Sequence, residues 1–205
     1  AQATAAKNSL TTVNALTPAW KNAVSARVAA FKTFDKLITR VNNALKASDT
    51  TQEVDDSAQT IVRKLQGRRA TAKATDEEKK VASEAGKEIV EISTSQMSYD
   101  SRLDNFDKLI KLLSSVTAYA PNEADLKITA LTALYTDLKA KNLAVLNAEI
   151  PLNNARISRN DTMYKDNIGL IDVATDVKTY IKSVFGATSP QYKTVSSLKF
   201  TKYSI

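Results

Sequence analysis

Glycine and proline are scarce in this chain, which limits how often the backbone can turn sharply. Only four glycines and four prolines occur among 205 residues. A sheet of many strands needs frequent turns, and turns draw heavily on these two residues. Alanine, leucine, lysine, threonine and serine dominate the chain instead, which favours long helices. The sequence therefore predicts an all-α fold, an antiparallel bundle of long helices.

One five-residue sequence occurs twice and predicts an internal duplication. The residues from Phe34 to Ile38 are identical to those from Phe106 to Ile110. Each copy lies within a helical pattern, and its phenylalanine and isoleucine fall four residues apart on the apolar stripe. Similar stretches at a fixed offset are typical of a repeated supersecondary unit, so we predict two related helical hairpins. Chance similarity between two apolar patterns is the alternative.

The first hairpin is predicted over residues 17–67. Thr17-Pro18 has the form of a helix start, with proline at the first helical position. Apolar residues then recur at helical spacing over 20–45, which predicts one buried stripe. The segment 49–53 contains two overlapping capping boxes, Asp with Gln and Thr with Glu. Gly67 is expected to end the second helix.

The second hairpin is predicted over residues 75–165. Thr75 and Glu78 fit a capping box, and an apolar pattern without proline then continues to Val116. A single helix of about 43 residues would be ~65 Å long, so we predict an elongated bundle. The next helix contains Pro151, which is expected to kink or break it.

A further helix and a short tail are predicted at the C-terminal end. We place this helix at about 169–186 and expect its apolar face to be buried. That face consists of Leu170, Val173, Ala174, Val177, Ile181 and Val184. Ser189-Pro190 is a second helix start, and residues 198–205 suit either a frayed tail or a strand. The predicted organisation is one bundle over 1–186, with 187–205 as a short helix or extended tail.

The absence of two residue types excludes much enzyme chemistry. The chain has no cysteine and no histidine, so disulfides, thiolate or imidazole metal ligands, and catalytic triads built on histidine cannot form. Glycine occurs only at positions 67, 86, 169 and 186, which leaves no glycine-rich phosphate loop. We expect a protein that is not an enzyme, with no cofactor, no bound metal and no small-molecule substrate.

The chain carries no apolar run long enough to form a transmembrane helix. We expect a cytoplasmic location. The sequence starts Ala-Gln-Ala without methionine, which leaves a secreted protein with a removed leader as the alternative.

The net charge of +7 is distributed in blocks. Residues 57–75 and 177–205 each hold five basic and no acidic side chains, whereas 76–107 hold nine acids and four bases. Complementary blocks steer encounters between molecules, so we predict a structural or scaffold protein that binds itself or another protein. Ordinary solvated helix faces carry similar runs, which is the simpler interpretation.

Basic and aromatic residues alternate in the C-terminal tail, a pattern that single-stranded nucleic-acid surfaces also use. A nucleic-acid-associated protein is therefore the alternative function. The same residues suit docking on a neighbouring subunit. The candidate interaction surface consists of Arg63, Arg68, Arg69, Lys73, Tyr192, Lys193, Lys199, Phe200, Lys202 and Tyr203.

A specific string of residues lies towards the C-terminal end, and related segments lie in the first and second hairpins. These segments are 64–69, 121–123, 155–160, 164, 169–172, 177–178 and 182–193. Together they resemble a family of uncharacterised helical proteins from Bacteroidota. The resemblance implies a helical fold. It implies no activity, cofactor, ligand or site residue.

Overall fold

The computed structural model describes residues 1–68, 75–86 and 97–202. The fold of these residues is all-α, as predicted, and they contain no strand. A short 3₁₀ helix, Ala124–Leu126, precedes α6. In chain order the helices are α1 Gln2–Phe31, α2 Phe34–Lys46, α3 Gln52–Leu65, α4 Asp76–Glu84, α5 Tyr99–Ser115, α6 Ile128–Tyr164, α7 Leu170–Phe185 and α8 Pro190–Ser196.

The chain divides into two units by its internal contacts. Residues 25–144 form one, here called the central unit, and residues 1–24 with 145–205 form the other, the terminal unit. The predicted organisation, one bundle over 1–186 with 187–205 as a short helix or extended tail, stays a prediction. Apolar periodicity identifies which side of a helix is buried, but it does not identify which helices pack together.

The central unit contains the main hydrophobic core. Its α3 packs against both α2 and α5, so α2 and α3 form a helical hairpin. Aromatic rings contact one another edge to face through the core, a favoured geometry for aromatic pairs. The largest fully buried side chains of this unit are Phe34, Ile38, Val41, Leu45, Val62, Leu65, Phe106, Leu109, Leu113, Leu131 and Leu138.

The two copies of the repeated sequence both contribute to this core, but from different helix positions. Phe34 is the first residue of α2, because the backbone turns at residues 32–33, whereas Phe106 lies inside α5. The first copy therefore begins a helix, whereas the apolar pattern predicts that it lies within one. The ring centroids of Phe34 and Phe106 lie 4.9 Å apart, so the copies pack against each other. Descent of the hairpins from one duplicated unit stays a prediction.

The predicted helix start at Thr17-Pro18 is wrong, because α1 begins at Gln2 and continues past both residues. The Thr17 hydroxyl donates a hydrogen bond of 2.7 Å to the carbonyl of Val13, one turn earlier in the same helix. Residues 2–16 are rich in alanine and include the buried Ala6 and Val13. Good intrinsic propensity and burial on the N-terminal side outweigh the backbone bond that proline cannot donate.

The predicted continuous helix from residue 75 to 116 is also wrong. Helix α4 ends before Gly86, whose φ of +70° suits glycine and stops the helix. Helix α5 begins after Ser98, whose hydroxyl accepts a hydrogen bond of 3.1 Å from the amide of Ser101. The apolar pattern at 87–96 and the side chain of the predicted capping residue Glu78 lie outside the described residues.

Other predicted boundaries agree with the structure more closely. Helix α3 ends in a Schellman motif at Gly67, where the amide of Arg68 donates to the carbonyl of Arg63 at 2.7 Å. Thr51 is the N-cap of α3, one or two residues later than the predicted capping boxes place it. The helix starting at Ser189-Pro190 is confirmed as α8.

Pro151 does not break its helix, since α6 continues from Ile128 to Tyr164. Pro151 and Asn147 are both exposed. The carbonyl of Asn147, which proline leaves without its helical donor, can therefore bond to water. An exposed proline interrupts one backbone hydrogen bond here without ending the helix.

We expect Phe106→Ala to lower the free energy of unfolding by about 3–5 kcal/mol, because the substitution removes a fully buried ring and leaves a cavity beside Phe34. The exposed Lys36→Ala is the matched control, with an effect within about 0.5 kcal/mol. Urea unfolding followed by circular dichroism measures both. Equal losses in the two variants would contradict this account of the core.

Candidate functional site

The terminal unit buries far less apolar surface than the central unit. Its buried apolar side chains among the described residues are Ala6, Val13, Val145 and Leu152. Helix α7 has no buried residue along its entire length. A small core supplies little hydrophobic stabilisation, so this unit exposes apolar side chains that a larger fold would cover.

The apolar face of α7 is not buried as the sequence predicts. Val177, Tyr180 and Val184 follow the i, i+3, i+7 spacing of one helix face, and their exposed fractions are 51%, 69% and 53%. Phe185 at the end of the helix is 53% exposed. Helix α8 packs against α7 and leaves Ile181 half-buried, but Val177 and Val184 of the predicted face stay exposed.

A second exposed apolar row lies on α6. Leu146, Ile150 and Ile157 are 45%, 61% and 60% exposed. At 100° per residue these three positions lie within about 40° of one another around the helix. We call Leu146, Ile150 and Ile157 the α6 row. The sequence analysis does not predict this row, because apolar spacing alone does not distinguish a face that other helices cover from one that they leave exposed.

The C-terminal tail folds back on α7 through lysine contacts. The ammonium of Lys178 donates to the backbone carbonyls of Ser196 and Leu198 at 2.7 and 2.8 Å. Lys182 lies 5.9 Å from the ring centroid of Tyr192. These contacts hold two successive turns of α7, at Lys178 and Lys182, against α8 and the residues that follow it.

Lys202 is the last residue of the tail that the structure describes, and it binds two carboxylates. Its ammonium donates to Asp166 at 2.5 Å and to Asp172 at 3.0 Å. The bond from Lys202, together with the backbone amide of Asn167, lowers the pKa of Asp172, and both carboxylates raise the pKa of Lys202. The Lys202 ammonium is therefore bound to carboxylates of its own chain.

The candidate interaction residues fall in both units. Arg68 is exposed after α3 and Arg63 is half-buried, both in the central unit. Tyr192 is half-buried in α8, where its amide bonds to the Ser189 hydroxyl at 3.1 Å, whereas Lys193 and Lys199 are exposed.

Phe200 is 37% exposed in the terminal unit. Arg69, Lys73 and Tyr203 lie outside the described residues. The described members of the candidate surface are thus divided between the two units, with Lys202 bound to its own chain.

A polar cleft of about 450 Å³ lies in the central unit between the turn after α2 and the segment 120–123. Arg40 lines it and forms a bidentate ion pair with Asp125, whose second hydrogen bond measures 3.1 Å. This pairing raises the pKa of Arg40 and lowers the pKa of Asp125. Because the guanidinium is neutralised by Asp125, the cleft offers little attraction to an anionic ligand.

Tyr119 is buried and contacts Leu126, which lines the same cleft. Its hydroxyl donates to the carbonyl of Leu126 at 2.8 Å, and burial raises its pKa to about 12. The hydroxyl therefore stays protonated at neutral pH and holds the loop before α6. The burial and the hydrogen bond of the Tyr119 hydroxyl therefore have a structural role.

Two arginines in the central unit are packed among aromatic rings, and the sequence did not single them out. Arg102 is buried, pairs with Asp35, and its guanidinium carbon lies 5.0 Å from the ring centroid of Phe34. Arg27 lies 4.0 Å from the ring of Tyr99. Each leaves its Nε without a hydrogen bond while facing an aromatic ring, a cation–π contact that partly offsets desolvation. The sequence feature that could have identified Arg102 is its position one helical turn before Phe106.

In residues 1–68, 75–86 and 97–202, no group of three or more acidic side chains is placed to hold a metal ion. No described helix is long and apolar enough to cross a bilayer.

We expect Lys202→Met to release the tail, because it removes the ammonium that bonds to Asp166 and Asp172. Limited proteolysis should then cleave the segment after α8 faster than in the unaltered protein. Lys199→Met is the matched control, since Lys199 is an exposed lysine of the same segment. Equal cleavage rates in the two variants would contradict an anchoring role for Lys202.

We expect the contact between Lys202 and Asp172 to weaken at low pH. The pKa of Asp172 is lowered from 3.8, so its stabilising contribution is present above that pH and is lost as pH falls below it. The amide of Asn167 bonds to Asp172 at 2.9 Å and can report the titration by NMR. We expect a midpoint below 3.8 that moves upward in Lys202→Met. An unchanged midpoint in that variant would contradict the contact.

Comparisons of the chain with protein-family models, with curated proteins and with solved structures found no match. The resemblance to uncharacterised Bacteroidota proteins therefore stays a prediction. Functional inference for this chain starts from its own contacts and exposed surfaces.

Proposed function

We propose that the protein is a non-catalytic structural protein that binds other copies of itself through its terminal unit. The observation that carries this proposal is that the described residues of this unit expose more large apolar side chains than they bury. Contiguous exposed apolar residues are typical of protein-binding surfaces. Covering them by association supplies the burial that the isolated unit lacks.

The contrast between the two units supports this assignment. The apolar core cluster consists entirely of residues from the central unit, between Phe31 and Leu138. A unit with such a core gains most of its hydrophobic stabilisation on folding, whereas the terminal unit can gain more on association. The central unit is then the stable body, and the terminal unit is the binding surface.

Charge has a secondary role in this proposal. Of the five lysines in 177–205, Lys178, Lys182 and Lys202 contact groups of their own chain. These contacts leave less of the tail's positive charge available to a partner. The remaining charge blocks can steer encounters, while apolar contact supplies most of the affinity.

Nucleic-acid binding is the second candidate, and the same lysine contacts weigh against it. Phosphate contacts supply most of the affinity for nucleic acid, and they need lysine and arginine side chains that reach the backbone. A fluorescence-anisotropy titration with single-stranded DNA and RNA tests this candidate. Tight binding that falls steeply with salt would favour it over self-association.

The proposal that the protein is non-catalytic has its own support. The chain lacks histidine, the commonest general base in enzymes, and cysteine, an intrinsically strong nucleophile. In the described cleft, Arg40 is engaged by Asp125 and the neighbouring Tyr119 holds a loop. These polar groups have structural explanations.

We expect self-association to appear as a mass above the monomer value of 22.3 kDa. Light scattering after size-exclusion chromatography, repeated over a wide range of protein concentration, measures it. Association through apolar surface should persist or strengthen at high salt, since salt screens only the charge contribution. A monomeric mass at every concentration would overturn the proposed function.

A further inference from the structure

We infer that the α6 row binds the same row of a second copy, in an antiparallel contact related by a two-fold axis near Asn153. This inference rests on the proposed function and names the surface and its occupant. The α6 row lies on one continuous helix, and its three side chains lie on one side of that helix. Rows of this kind pack against another helix in coiled coils and bundles.

The fully exposed positions of α6 around this row are uncharged. Between residues 146 and 158, the exposed positions are occupied by aliphatic residues, proline, asparagine and serine. Solvated helix faces usually carry lysine and glutamate, and depletion of charge is characteristic of the centre of protein interfaces. The exposed positions of α7 differ, because they include Asp176 and Lys182.

A charge-free face also suits a second copy as its occupant. In a two-fold contact each patch meets itself, so a charged patch would place like charges together. The α6 row avoids this repulsion in a chain whose net charge is +7. Asn153 lies within the row, and its amide can both donate to and accept from the same residue of the second copy.

The charges beside the row favour the antiparallel direction. Glu149 and Arg156 are both half-buried and lie on the same flank of α6, within about 20° of each other. In an antiparallel two-fold pair the same flanks meet. With the axis at Asn153, Glu149 of one copy lies level with residue 157 of the other, about 1.5 Å along the helix from Arg156.

A parallel pair in register would place this flank against the opposite one. The exposed residues there, Asn147 and Asn154, carry no charge to pair with Glu149 or Arg156. The antiparallel pair therefore combines three compatible contacts: Ile150 with Ile157, Asn153 with itself, and Glu149 with Arg156. Within the chain, Arg156 donates to Asn153 at 3.2 Å and lies 5.7 Å from the Trp20 ring, which keeps it near this flank.

The first test introduces a charge into the row. Ile150→Arg places two guanidinium groups in the contact and should weaken association by about tenfold or more. Val81→Arg on α4 is the matched control, because Val81 is also an exposed aliphatic residue but lies in the central unit. We expect association of Val81→Arg to be unchanged, as measured by sedimentation equilibrium. Circular dichroism checks that both variants remain folded.

The second test uses the absence of cysteine from the chain. Asn153→Cys should form a disulfide-linked dimer under mild oxidation, because the two introduced thiols lie beside the axis. Leu146→Cys should not, because the two copies of that position would be about 21 Å apart along the antiparallel helices. Cross-linking of both variants would indicate a parallel contact and overturn the antiparallel inference.

The third test examines the flanking charges. Glu149→Arg alone and Arg156→Glu alone should each weaken association, and the two together should restore it, since the pair is then reversed. Wild-type association that survives Ile150→Arg, with no cross-link at position 153, would overturn this inference and leave the proposed function standing. A monomeric wild-type protein would overturn both.

Discussion

The packing of Phe34 against Phe106 is the contact on which the central unit depends. Their rings meet edge to face at 4.9 Å, and Phe31 and Tyr135 extend the aromatic cluster to α1 and α6. Arg102 covers this cluster with its guanidinium and reaches Asp35 on α2. Four helices therefore meet at two phenylalanines, and a change in either ring would be felt by each of them.

The terminal unit is held together mainly by polar contacts, unlike the central unit. Its described contacts are largely polar: Gln2 donates to the carbonyl of Ile168 at 2.9 Å, and lysines hold the tail to α7. Such exposed hydrogen bonds and ion pairs contribute little net stability. A unit held in this way gains from binding a partner, which links the thin core of the terminal unit directly to the proposed self-association.

Much of the secondary structure could be predicted from the sequence. The stops at Gly67 and Gly86 have a local cause, because glycine readily adopts the positive φ that ends a helix. The first stop is predicted from the sequence and the second is not, since the apolar spacing continues past Gly86. The predicted helix start at Pro18 is wrong and Pro151 does not break α6, because the flanking residues maintain both helices.

The sequence by itself determined the helical class, the absence of thiol and imidazole chemistry, and the apolar spacing along each helix. These properties follow from composition and from a period of 3.6 residues, which are local. Only the tertiary structure decided that Val41 is buried while Val177 and Ile150 are exposed. Burial depends on which other helices approach a face, and apolar spacing is the same whether a face is covered by its own chain or left open to a partner.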